Sequence, residues 1–257
     1  MASRKNTVIT GASSGLGEGM ARAFAAKGHD LALAARRVDR LDTLAAELKS
    51  THGSTVLTRG LDVNDHAAVF RTFAEFRAEL GSLDRVIVNA GISHGNSLGI
   101  GQFEENRRTL ETNLVAALAQ IEAAMEIFRE QRAGHLVVVA SLAAARPQPT
   151  ILNAYGASKS GLVSLAEGLR YELVAARSPI KVTTLLPGYI ASELNDTQQA
   201  TPPMMVKTDV GVRAIVKAIE SETGRAIVPA FPYSFVNVAV RLMPIRMLVK
   251  TVQPANH

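Results

Sequence analysis

Apolar positions along the chain follow two rhythms. Short, near-continuous runs such as Thr7-Val8-Ile9, Leu31-Ala32-Leu33-Ala34-Ala35 and His135–Ala140 read as strands buried on both faces. Between them, apolar residues recur three and four apart. Met20, Phe24 and Ala25 mark one helix, and Leu41, Leu44, Ala45 and Leu48 another. The pattern predicts strands at 5–10, 31–35, 55–60, 83–88, 135–140, 180–186 and 226–229. It predicts helices at 15–27, 40–50, 66–80, 103–131, 154–176 and 209–222, with 191–208 irregular and mobile. Gly28 should close the first helix, Asp39 cap the second, and Asn64 or Asp65 the third. Alternating strands and helices predict an α/β chain built on a parallel, doubly wound sheet of about seven strands flanked by helices.

Composition narrows this picture. The 257 residues are 47% hydrophobic and contain no repeat, low-complexity tract or linker, so one domain spanning 1–257 is expected. Cysteine is absent, which excludes disulfides, thiol nucleophiles and thiolate metal sites and fits a reducing, cytoplasmic setting. Met1-Ala2-Ser3-Arg4-Lys5 leads into the first strand at once, leaving no room for a signal peptide. The net charge of +5 is scattered rather than clustered. With no tryptophan and 5% aromatics, nucleic-acid binding is not expected.

The candidate chemistry begins at Thr10-Gly11-Ala12-Ser13-Ser14-Gly15-Leu16-Gly17, between the first strand and helix. Gly11 can take a turn that a Cβ would forbid, Gly15 admits a ligand close to the backbone, and Gly17 allows tight helix–strand packing. The helix start then offers free N–H groups to a pyrophosphate, with Ser13 and Ser14 as further donors. The second strand ends Ala35-Arg36-Arg37, where a dinucleotide fold reads its ribose; guanidinium groups there pair with a 2′-phosphate. Asp62-Val63 follows the third strand, and Asp62 is placed to accept from an adenine amino group. Asn89-Ala90-Gly91 ends the fourth strand with side chains small enough for a flat ring to approach. Asn113 lies on an apolar stripe and needs hydrogen-bond partners. Ser141 stands at the end of the fifth strand. Tyr155 and Lys159 share one helix face, one turn apart. Pro187-Gly188-Tyr189-Ile190 follows the sixth strand.

These marks, in order from residue 4 to 195, resemble the short-chain dehydrogenase/reductase family, in an NADP(H)-preferring form. The resemblance implies a Rossmann-type domain and a catalytic set of Asn113, Ser141, Tyr155 and Lys159. Tyr155 would be the acid–base group and Lys159 its partner. Ser141 would bind the reacting oxygen, and Asn113 would hold a relay water. The implied NADP(H) contacts are Gly11, Ser13, Ser14, Gly15, Leu16, Gly17, Arg36, Arg37, Asp62, Val63, Asn89, Ala90, Gly91, Tyr155, Lys159, Pro187, Gly188, Ile190 and Ser192. Ser192 stands in for a threonine usual in the family after Pro-Gly. No metal is needed. The Lys159 ammonium is expected to lower the Tyr155 phenol pKa.

The stretch Glu193–Lys207 corresponds to the family's substrate loop, and Pro202-Pro203-Met204-Met205 inclines it towards a lipophilic carbonyl or alcohol. His94 is expected in a solvated loop near the pocket. From Phe231 the chain departs from the family: Phe235, Val238, Ala239, Leu242 and Met243 form a helical apolar stripe, interspersed with Arg241, Arg246 and Lys250. This tail (231–257) is read as a lid, a subunit interface or a peripheral membrane contact. The expected activity is hydride transfer between NADP(H) and a small-molecule carbonyl or alcohol, by a homodimer or homotetramer. The alternatives are a 3-oxoacyl-thioester reductase, a non-catalytic NADPH-binding sensor and a membrane-associated scaffold.

Overall fold

The computed structural model describes residues 5–146, 148, 150–191, 193, 204–244 and 246–247. Its strands are β1 (Asn6–Thr10), β2 (Asp30–Ala35), β3 (Val56–Gly60), β4 (Arg85–Val88), β5 (His135–Val139), β6 (Lys181–Pro187) and β7 (Arg225–Val228). They form one seven-stranded sheet in the order β3-β2-β1-β4-β5-β6-β7. Every pairing is parallel. The helices are α1 (Gly15–Ala25), α2 (Val38–His52), α3 (His66–Leu80), α4 (Phe103–Leu110), α5 (Ala116–Gln131), α6 (Asn153–Ala175), α7 (Thr208–Glu220) and α8 (Ala230–Leu242).

The near-continuous apolar runs arise because both faces of the sheet are covered. Val8, Ala32, Ala34, Val86, Val88, Leu136 and Val138 pack towards α3, α5 and α6. Their neighbours Ile9, Leu31, Leu33, Ile87, Val137, Val139 and Leu185 pack towards α1, α2 and α7. Alternate strand residues thus enter different cores.

Local details correct several expectations. The regular turns of α1 end at Ala25, two residues short of the expected bound, but Gly28 (φ +77) closes the helix as expected, with Gly28 N donating to Ala25 O at 2.9 Å and His29 N to Phe24 O at 3.1 Å. Helix α2 begins at Val38 behind Arg37, so Asp39 lies in its first turn and is not its cap. Asp65 caps α3, accepting from Ala68 N at 2.9 Å. The helix expected over 103–131 is broken by a π-helical turn, Glu111–Val115.

β1 lies between β2 and β4: the chain winds outward from β1 to β3, then crosses back through α3 to β4 on the other side of β1. This reversal opens a crevice above the ends of β1 and β4, where ligands bind in open α/β sheets. The opposite edge is structural: Arg85, at the start of β4, donates to His135 Nδ1 at 3.1 Å and stacks 5.2 Å from the Phe24 ring centroid.

Candidate active site

The glycine loop lies in that crevice, and its glycines are required by close backbone contacts. Gly11 has φ +64, and a Cβ on it would lie 2.9 Å from Ala90 Cα. A Cβ on Gly17 would lie 2.3 Å from the Gly11 carbonyl oxygen. Asn89 Nδ2 donates to the carbonyls of Thr10 and Gly11 at 2.9 and 3.3 Å. Thr10 Oγ1 accepts from the N–H groups of Asn89 and Ala90 at 3.1 and 3.2 Å. Asn89 and Ala90 therefore brace the turn from beneath. Ser14 occupies the N-cap of α1, but its side chain does not cap the helix. The first N–H groups of α1 are left for a ligand such as a pyrophosphate. Gly15 (φ +56) completes the turn, and Leu16 packs against the α1-side core.

Arg37, not Arg36, reaches this loop. Its Nε donates to Ser13 Oγ at 3.2 Å and its Nη2 to Ser14 Oγ at 2.6 Å. The side chain of Arg36 is exposed to solvent. Arg37 sits at the N-cap of α2, where the chain turns from β2 into the helix. Asp62 is exposed, and its Oδ1 accepts from the backbone and side-chain amides of Asn64, both at 3.0 Å. Val63 is buried in the core.

The second cluster lies at the ends of β5 and α6. Ser141 follows β5, and its Oγ accepts from Ala143 N at 3.1 Å. Its hydroxyl is also hydrogen-bonded to the Tyr155 phenol. Lys159, one helical turn beyond Tyr155, is buried; Nζ donates to the Val139 carbonyl at 3.0 Å and lies 5.9 Å from the Tyr155 ring centroid. Burial pushes the lysine pKa down to about 8. Burial pushes the Tyr155 phenol up, with the Ser141 hydrogen bond opposing. This reverses the expected lowering of the phenol: desolvation dominates it, and desolvation also weakens the Lys159 ammonium that was expected to lower it. Tyr155 is therefore a protonated donor at neutral pH.

Asn113 is fully buried in the π-helical turn. Its Oδ1 accepts from Ile92 N at 2.8 Å, and Nδ2 donates to Ile92 O at 2.8 Å and Ser158 Oγ at 3.3 Å. Both amide hydrogens are engaged, so the side chain ties the segment after β4 to α6 rather than holding a water through those donors. A Cβ on Gly91 would lie 3.0 Å from Asn113 Oδ1 and 3.5 Å from Lys159 Nζ. Small residues at the β4 end thus bring the two clusters together.

Residues 5–203 match the family model for short chain dehydrogenases. The chain belongs to the short chain dehydrogenase family. Short chain dehydrogenases are oxidoreductases, and an uncharacterized oxidoreductase of Mycobacterium tuberculosis is 51% identical over 241 residues, 93% of each chain. The solved alcohol dehydrogenase of Thermococcus sibiricus, complexed with 5-hydroxy-NADP, is 27% identical, with a TM-score of 0.77 over 87% of this chain and 95% of that one. The 3-ketoacyl-(acyl-carrier-protein) reductase of Brucella melitensis, complexed with NADH, is 28% identical, with a TM-score of 0.77 over the same shares, 87% and 95%.

Within this short chain dehydrogenase, the Pro187–Ile190 stretch packs against α7 and α8. A Cβ on Gly188 would lie 2.4 Å from the Tyr233 ring, so that glycine makes room for α8. Ile190 is buried in the core against Gly211, and Pro187 closes β6. Ser192, Pro202 and Pro203 lie outside the described residues. His94 is exposed, as expected. Several site residues had no marker in the sequence pattern. Tyr189 acts electrostatically on Tyr155. Ser158 links the Tyr155 carbonyl to Asn113. Tyr233 Oη donates to the carbonyls of Tyr189 and Met204 at 2.8 and 2.7 Å. Each depends on contacts between segments distant in sequence.

Proposed function

We propose that this oxidoreductase transfers a hydride between NADP(H) and a lipophilic carbonyl or alcohol. The observation that carries this reading is the hydrogen-bonded Ser141–Tyr155 pair beside buried Lys159, next to a glycine loop whose contacts exclude side chains. The nicotinamide supplies the hydride when bound. In reduction, the Tyr155 hydroxyl gives its proton to the substrate oxygen as the carbon becomes tetrahedral. Ser141 donates to the same oxygen and stabilises its developing charge. Lys159 holds the nicotinamide ribose and steadies the tyrosine. Asn113 positions Ile92 and α6. Oxidation of an alcohol runs the same transfers in reverse. Glycines 11, 15 and 17 with Ser13, Ser14 and Leu16 hold the pyrophosphate. Asp62 and Val63 flank the adenine, and Asn89, Ala90 and Gly91 support the ring side of the site.

Cofactor choice rests on Arg37. The two solved relatives carry an NADP derivative and NADH respectively. A guanidinium already oriented by Ser13 and Ser14 favours the 2′-phosphate. Arg37→Ala is expected to weaken NADPH by about 10- to 100-fold, the scale of a charge-assisted contact, while changing NADH little. Arg36→Ala should have a smaller effect. Fluorescence titrations of both nucleotides check this, and equal losses for NADPH and NADH would remove Arg37 as the phosphate reader. Turnover on a panel of ketones, aldehydes, alcohols and 3-oxoacyl thioesters, followed at the nicotinamide absorbance, tests the activity. The thioesters address the reductase alternative raised by the Brucella relative; nucleotide binding without turnover on any class would favour the sensor.

An apolar substrate is supported by the exposed apolar side chains of Ile151, Tyr189 and Met204. In α8, Tyr233 turns inward, while Phe231, Phe235, Val238 and Leu242 are exposed, Phe235 at 83%. No Asp or Glu follows Glu222 in the chain. Among the described residues, no helix is long and apolar enough to cross a membrane. We read the protein as a homodimer or homotetramer, with this cationic, apolar face as a peripheral membrane contact. Co-sedimentation with phosphatidylserine vesicles should fall on Phe235→Ser. If it does not, and light-scattering mass falls instead, the stripe is a subunit interface.

A further inference from the structure

Two arginines converge on one carboxylate at the edge of the glycine loop. Glu193 accepts from Arg37 Nη1 at 2.9 Å through Oε2 and from Arg40 Nη1 at 2.5 Å through Oε1. The same Arg37 is held from behind by Ser13 and Ser14. Ser14 also hydrogen-bonds to Glu193, whose pKa these partners hold down to about 2. An anion therefore already sits among Arg37, Arg40 and Ser14, and it comes from a segment more than 150 residues away in sequence.

The chain leading to this carboxylate is tied down at Ala191. Two residues before it, Ala191 N donates to Val206 O at 3.0 Å, and Thr208 Oγ1 donates to Ala191 O at 2.7 Å. Ile190 anchors the same segment in the core. All three charged side chains are more than 40% exposed, so the pairs add little to stability. Their geometry is informative because a carboxylate and a phosphate present similar oxygen acceptors to a guanidinium fork.

Building on the assignment of Arg37 to the 2′-phosphate, we propose that Glu193 is an internal stand-in for that phosphate and that Arg40 is the second arm of its clamp. NADP(H) must displace the Glu193 carboxylate before both arginines can engage the nucleotide. NAD(H), with no 2′-phosphate, leaves the ion pairs in place. Glu193 thus sets cofactor discrimination by competing for the arginines. Arg40 is a specificity-determining residue, though it lies outside the Ala35-Arg36-Arg37 run that marks the position in the sequence.

The test is a set of fluorescence titrations of NADPH and NADH against the full-length wild type, Glu193→Gln, Arg40→Ala and Arg37→Ala. Glutamine keeps the size of the side chain and removes its charge. Glu193→Gln should tighten NADPH by about three- to tenfold and leave NADH within about twofold, the range open to partly exposed ion pairs. Arg40→Ala should weaken NADPH by about tenfold, with NADH again little changed. Competition by adenosine 2′,5′-bisphosphate against adenosine 5′-diphosphate should show the same selective shifts without the nicotinamide. Unchanged or weaker NADPH binding in Glu193→Gln, with Arg37→Ala still selective, overturns the competition alone. Equal losses of NADPH and NADH in Arg40→Ala remove it from the clamp. Equal losses in Arg37→Ala overturn the 2′-phosphate assignment beneath both.

Discussion

Tyr155→Phe should lower kcat by about 10²- to 10⁴-fold, the usual contribution of a positioned proton donor, while NADPH binds nearly as in the wild type. Phenylalanine keeps the ring that lies 5.9 Å from Lys159 Nζ and removes only the hydroxyl. What disappears is the O–H that is hydrogen-bonded to Ser141 and is kept protonated by burial. The loss should therefore fall on kcat with little change in nucleotide affinity. Steady-state rates and a nucleotide titration on the same preparation check both parts. Turnover within about tenfold of the wild type would show that the proton comes from elsewhere. Binding lost along with turnover would show a disturbed site instead.

Lys159→Met should abolish most activity and yet raise thermal stability at neutral pH. The lysine pKa is about 8 in the folded protein, against an ordinary 10.5. The folded state therefore binds its proton less tightly than the unfolded state. The cost of burying this cation is fully present below about pH 8 and disappears as pH rises through 10.5. The gap of about 2.5 units is on the order of 3 kcal/mol at 1.36 kcal/mol per unit. Methionine fills similar space without the charge but gives up the bond to the Val139 carbonyl, a loss smaller than the charge cost, so its Tm advantage should be largest at pH 7 and shrink towards pH 10. Thermal melts at the two pH values decide it. An equal shift at both would mean that packing, and not charge burial, sets the difference. A stabilised but inactive variant is the expected trade-off where a site holds a costly group for its chemistry.

These expectations divide between what a linear pattern carries and what it does not. The parallel sheet was legible because burial on both faces forces runs such as Leu31–Ala35 and His135–Val139 to be apolar throughout. The glycine loop was legible because Gly11 and Gly17 meet backbone atoms, and no other residue fits there. Tyr155 and Lys159 were legible as a pair because a helix puts residues four apart on one face.

The directions of the pKa shifts were not legible. Lys159 and Tyr155 are adjacent in any reading of the helix, but desolvation depends on α6 packing against the end of β5. The helix pattern also hid the π-helical turn at Glu111–Val115, whose apolar spacing resembles continuous helix while Asn113 turns in to satisfy the Ile92 peptide. The sequence placed both arginines after β2 in one role. The N-cap geometry of α2 separates them, turning Arg37 onto Ser13 and Ser14 and leaving Arg36 in solvent. Arg40 and Glu193 meet only in the folded chain.

By itself, then, the sequence determined the fold and the glycine loop, because each follows from periodicity or from a local steric demand, while the roles of Ser141, Tyr155 and Lys159 came from the family resemblance. Tertiary structure decided which arginine faces the loop, which groups keep their protons and which carboxylate occupies the arginine clamp. Those outcomes depend on burial and on through-space charge between segments, and neither is encoded in the spacing of residues along the chain.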